Sequence, residues 1–190
     1  MKHILLLALI ASFSMTSIAQ IRNETSYGVR LGANYSDLET DLFEDAENRI
    51  APSETFFAEI PLGNTFSIVP ELGFNALGVK EESVTAPDGN EVNFKSNWLN
   101  TGILVQANIT RFLYLNVGPK AAVNVSENDD SDYYDYDLMG VGGIGVRITN
   151  GLSIDARYGY GFKNIYSSNL EAQGYDAENR FYQLTLSYRM

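Results

Sequence analysis

The chain has no cysteine, and its one histidine is His3. Without thiols it forms no disulfide, holds no thiolate-bound metal, offers no thiol nucleophile and carries no lipid on an N-terminal cysteine. With no imidazole beyond His3, a Ser-His-Asp triad, a Cys-His pair and the common zinc sites are excluded as well. Enzymatic chemistry is left only carboxylates, Lys, Tyr and Ser, so the expectation is a protein that is not an enzyme and uses no cofactor. Positive charge is also scarce: 13 Lys and Arg face 24 Asp and Glu, a net charge of −11. Such a surface repels nucleic acid, and no DNA or RNA partner is expected. Helical periodicity and long apolar runs are missing from everything after the N-terminus.

The N-terminus itself is distinctive. Lys2 precedes an apolar run over 4–13, and small residues stand at Ser17 and Ala19. That pattern predicts a secretory signal peptide over 1–19, with cleavage after Ala19 or, as second choice, after Gln20. The run is shorter than the roughly 20 apolar residues a membrane helix needs. Residues 20–190 are then one exported domain.

Within that domain the period is two. Leu152, Ile154, Ala156, Tyr158, Tyr160 and Phe162 alternate with Ser153, Asp155, Arg157, Gly159, Gly161 and Lys163. Successive side chains of a strand point to opposite faces, so one side is greasy and the other charged. The same scheme recurs over about 27–35, 54–61, 66–78, 96–109, 113–125, 137–149, 152–163 and 181–190. Connections alternate long and short. Asn150-Gly151 is the tightest hairpin signal, and Gly63 and Asn64 lie in another short turn. An even count, tight turns at one rim and long loops at the other predict an all-β, eight-stranded antiparallel up-and-down transmembrane β-barrel in the bacterial outer membrane.

Charge fixes the register. Arg or Lys on the lipid face costs about 2–4 kcal/mol near the midplane. With Arg30, Glu59, Glu71, Lys120, Arg147, Asp155, Arg157, Lys163 and Arg189 inside, the outer face is apolar and ends in aromatic girdles. A one-residue slip would turn all nine toward lipid. Pro70 and Pro119 each remove a ladder hydrogen bond and are expected to mark local bulges.

The nine inward charges predict a lumen filled by ion pairs, and hence a structural or interaction protein; the alternative is a narrow, anion-leaning porin-like channel for small solutes. Acidic residues crowd two connections: Asp37, Glu39, Asp41, Glu44, Asp45 and Glu47 in the first, Glu127 to Asp137 in the third. In the latter, Asp129, Asp130, Asp132 and Asp135 with Tyr133 and Tyr134 form a candidate contact surface for a protein partner or a weak cation site, without the spacing of an EF-hand. Residues 140–145 match G-x-G-x-x-G formally, but inside a strand, where glycines serve close packing rather than a nucleotide.

The chain resembles the small outer-membrane barrels of Bacteroidota, the porin-family or PorT-like proteins. The residues that carry the likeness are Tyr27-Gly28-Val29-Arg30-Leu31-Gly32-Ala33-Asn34-Tyr35-Ser36, Asn116-Val117-Gly118-Pro119, Gly142-Gly143-Ile144-Gly145 and Leu186-Ser187-Tyr188-Arg189-Met190. The resemblance implies outer-membrane lipid as surroundings, insertion by the barrel-assembly machinery, an extracellular or envelope protein as partner, and no shared catalytic residues. Such barrels usually end in Phe, where this chain has Met190.

Overall fold

Alternation of apolar and polar residues produces long antiparallel strands in the structure, a computed structural model that describes residues 24–40, 48–78, 84–85, 91–92, 95–126, 136–163 and 177–190. The expected export signal lies outside them, as do Asp129, Asp130, Asp132, Tyr133, Tyr134 and Asp135. The strands are β1 (Ser26–Thr40), β2 (Arg49–Pro61), β3 (Phe66–Gly78), β4 (Val84–Thr85), β5 (Glu91–Val92), β6 (Lys95–Asn108), β7 (Leu113–Asn124), β8 (Tyr136–Arg147), β9 (Leu152–Gly161) and β10 (Ala177–Arg189). Eight of them close a barrel in the order β1-β10-β9-β8-β7-β6-β3-β2, and β4 pairs with β5 in the second long connection. Following antiparallel partners once around the wall leads from Tyr27 on β1 to Asp37 on the same strand. That stagger tilts the strands by about 40° from the barrel axis.

Burial alternates along the barrel strands, and the charged face is the inner one. Arg30, Glu59, Glu71, Lys120, Asp155 and Arg157 are buried, while Leu31, Phe56, Leu72, Ile103, Val117, Ile144, Leu184 and Leu186 are exposed on the outside. Tyr27, Phe66, Phe112 and Tyr188 crowd the rim of tight turns. Tyr35, Tyr136, Phe162 and Tyr182 crowd the opposite rim, as headgroup-level girdles do.

Three expectations are corrected. The first two strands and the last run past their predicted ends: β1 continues to Thr40, β2 starts at Arg49 and β10 at Ala177. The reason is pairing, since each extension lies against a neighbour, with Ser36 opposite Arg49 and Thr40 opposite Ala177. The prolines make no bulge. The register is the same on either side of Pro70 (Phe57↔Glu71, Ile60↔Ile68) and of Pro119 (Gly102↔Lys120, Val105↔Val117). Pairing simply skips on the side where the proline lacks its N–H, while Pro70 still pairs with Ile103 and Pro119 with Gly140. Finally, Asn150-Gly151 does not form a two-residue hairpin. Positive φ occurs only at Gly63 and Gly78 among the described residues. The ladder instead ends at Arg147↔Ser153, and the Thr149 hydroxyl accepts hydrogen bonds from the N–H groups of Gly151 (3.3 Å) and Leu152 (3.0 Å).

Candidate functional site

The inward side chains stack in layers along the barrel axis. Nearest the tight turns, Glu59 accepts from Arg189 (2.9 Å) and Gln106 (2.9 Å), with Arg147 3.5 Å away. Arg147 also donates to Asn108 (2.7 Å) and lies over the Tyr114 ring. Phe57, Val69 and Leu104 form a small apolar layer above them.

The second ionic cluster is centred on Glu71, a carboxylate held by three cations. Arg157 reaches it with both Nη1 (3.0 Å) and Nη2 (3.1 Å), Lys120 Nζ stands 2.9 Å away, and Arg30 donates to Oε1. Asp155 completes the cluster. It accepts from the Tyr114 hydroxyl (2.7 Å) and from Ser187, and lies 3.6 Å from Arg30 Nε and 3.9 Å from Arg157 Nη2. Five strands, β1, β3, β7, β9 and β10, supply these groups, so no local sequence segment contains the cluster.

Above it an amide layer spans the lumen. Gln183 donates to Ser53 (2.7 Å) and Asn34 (3.0 Å), Ser53 donates to Asn75 (2.9 Å), and Asn34 donates to Asn75 (3.2 Å). The end opposite the tight turns is then closed by Leu77, Trp98, Ala122, Met139, Val141 and Phe181, none more than 2% exposed. Sequence reasoning missed this apolar lid, although the alternation already placed Trp98, Met139 and Val141 on the charge-bearing face. Reading inward positions for bulk as well as charge would have found it.

Glycines on the inner face are sockets for these side chains. A Cβ on Gly159 would stand 2.1 Å from the Phe181 ring, on Gly145 2.1 Å from the Tyr114 ring, and on Gly143 2.6 Å from Arg157 Cγ. Residues 140–145 lie wholly within β8, as a packing surface.

Of the nine charges expected inside, five meet at the Glu71 cluster and three at Glu59. Lys163 joins neither. It follows the end of β9 at the extracellular rim, with Nζ 3.3 Å from the centre of the Tyr136 ring. Between the two ionic clusters lies a cavity of ≈ 10 Å³ lined by Arg30, Phe57, Glu59, Tyr114 and Arg147, room for about one water. Among the described residues no group of three or more His, Cys, Asp and Glu side chains is placed to hold a metal ion.

A closed eight-stranded barrel with an apolar outer wall, aromatic rims and an ion-paired interior is a transmembrane protein of the bacterial outer-membrane type. Sequence comparison agrees: residues 18–167 match the outer membrane protein beta-barrel domain family, and the chain belongs to it. Its place is the bacterial outer membrane. No curated protein sequence matches the chain. Solved structures share the fold. Ail, the attachment invasion locus protein of Yersinia pestis, is 13% identical, with 88% of this chain and 100% of that chain covered and a TM-score of 0.52. Neisserial surface protein A is 11% identical, with the same coverage and a TM-score of 0.58. At such identities the likeness is one of architecture.

Proposed function

We propose that the protein is a plugged barrel, a rigid outer-membrane platform that presents its long extracellular loops to a partner and passes no solute. The observation that carries this is the layered lumen. A water path along Arg30, Lys120 and Arg157 would have to cross Leu104 and Phe57 below and Trp98, Phe181 and Met139 above, all nearly inaccessible to solvent. The cations are also committed to Glu71 and Asp155 rather than presented to a passing anion.

Loop chemistry then defines the partner. The first connection carries Asp41, Glu44, Asp45 and Glu47, and the third carries Asp129, Asp130, Asp132 and Asp135 with Tyr133, Tyr134 and Tyr136. Ail has been solved with sucrose octasulfate, a heparin analogue. Loops of this composition repel such a polyanion and favour a cationic protein surface, with the tyrosines supplying contact area. With neither Cys nor any His but His3, the role is binding and not catalysis. Residues 1–19 serve as the export signal, so the mature protein begins at Gln20, which N-terminal sequencing would show. The Tyr27–Ser36 and Leu186–Met190 segments support a place among the PorT-like barrels.

Planar-bilayer recording on the refolded barrel tests the proposal. No stable unit openings are expected from the wild type. Openings that disappear on Lys120→Met would establish a channel and overturn the plugged reading. Crosslinking from a cysteine placed at Ser131 should capture a basic envelope or extracellular protein, and capture should fail when residues 127–135 are replaced by a Gly-Ser linker.

A further inference from the structure

The outer wall carries one Asp, Glu, Lys or Arg side chain between the girdles among the described residues. The outward positions of β2 read Ile50, Pro52, Glu54, Phe56, Ala58 and Ile60, and Glu54 is exposed. The sequence suggests Glu54 as the start of a strand, at the loop boundary. Because β2 begins at Arg49, it lies instead within the apolar wall, with apolar outward residues above and below it. Its partners across the wall are Leu31 on β1 and Phe74 on β3. On β1, Leu31 stands midway between Tyr27 and Tyr35 of the two girdles, which puts Glu54 at hydrocarbon depth. None of the outward side chains around it on β1, β2 and β3 (Leu31, Ala33, Pro52, Phe56, Leu72, Phe74) can ionise or hydrogen-bond.

A carboxyl at that depth finds no partner in acyl chains. Polar groups on membrane-embedded surfaces are costly, and they persist where another protein completes them. A carboxyl group can both donate and accept a hydrogen bond, so two of them brought face to face complete one another. A two-fold interface brings a residue on its axis against its own copy, so a second barrel completes Glu54 with no further component. The neighbouring pair Ala33↔Pro52 keeps side chains short beside it, which lets two walls approach closely. We propose that the face formed by β1, β2 and β3 is where two copies of this barrel meet side by side in the membrane, with their Glu54 carboxyls paired on the symmetry axis.

The absence of cysteine makes the test clean. Leu31→Cys places a single thiol beside Glu54, and Val117→Cys places one on β7, across the barrel. Oxidation in outer-membrane vesicles should give a covalent homodimer from the Leu31→Cys chain at least tenfold above that from Val117→Cys. Adding Glu54→Leu to Leu31→Cys should remove that excess. Wild-type protein in detergent should sediment as a dimer and the Glu54→Leu variant as a monomer, with retained heat-modifiable migration showing that the variant is folded. Equal crosslinking from both sites, a Leu31→Cys dimer indifferent to Glu54→Leu, or crosslinking only to a different envelope protein would each overturn the proposal.

Discussion

Replacing Glu71 by Gln is the most severe perturbation the lumen offers for its size. Shape and volume hardly change, so the effect isolates charge. Glu71 touches Arg30, Lys120 and Arg157, whose side chains are 3%, 2% and 0% exposed. At an effective dielectric of about 20, each contact near 3 Å corresponds to roughly 5 kcal/mol of Coulomb energy. Those terms do not sum, because the cations repel one another and Asp155 remains. Removing one partner of a buried pair costs about 3–5 kcal/mol. Three stranded cations with no route to water place Glu71→Gln at the top of that range, about 4–5 kcal/mol, a large part of the roughly 5–15 kcal/mol that holds a domain folded. The assay is urea titration of the barrel refolded into phospholipid vesicles, followed by the fluorescence of Trp98, the one tryptophan, which is buried in the lid. The double variant Glu71→Gln/Lys120→Met removes one charge of each sign and should return to within about 2 kcal/mol of wild type. A cost below about 1 kcal/mol for the single variant, or a double variant no better than the single, would refute charge balance as the reason for this arrangement.

Other perturbations separate the layers. Glu59→Gln should cost less, about 1–2 kcal/mol, and its effect should shrink in high salt, because Arg189 is 29% exposed and water can take over. Gly159→Ala forces a methyl into the Phe181 ring and should destabilise by about 1–3 kcal/mol, with Phe181→Leu recovering part of the loss in the same titration. Pro119→Val should restore one ladder hydrogen bond toward β6 and raise stability by about 0.5–1.5 kcal/mol; a loss would show that the skipped pairing has another cause.

Most of the wall was legible because its constraints are local and repeated. Alternation around Arg30, Asp155 and Arg157 says which face is which, and a slip of one residue is forbidden by every strand at once. What the sequence hid depends on position along the axis, which alternation does not encode. Trp98 and Lys120 share the inner face, but nothing in either strand says that one caps the lumen and the other lies below it. The triple embrace of Glu71 is hidden likewise, since Arg30, Lys120 and Arg157 come from β1, β7 and β9 and meet only when the barrel closes. The prolines misled for a different reason. A missing donor does not require an inserted residue: Pro70 and Pro119 each aim the gap at one neighbour and pair normally with the other.

The same distinction between face and depth bears on function. A charged inner face alone is compatible with a conduit, since porins also line their walls with Arg and Lys. What separates a conduit from a plug is whether each charge is answered across the lumen and whether apolar layers cross it. Here both conditions hold: Glu71 and Asp155 answer Arg30, Lys120 and Arg157, and Trp98, Phe181 and Met139 lie over them. On the plugged reading, recognition falls to the acidic connections and to the wall within the membrane. On that wall, among the described residues, Glu54 is the one carboxylate between the girdles.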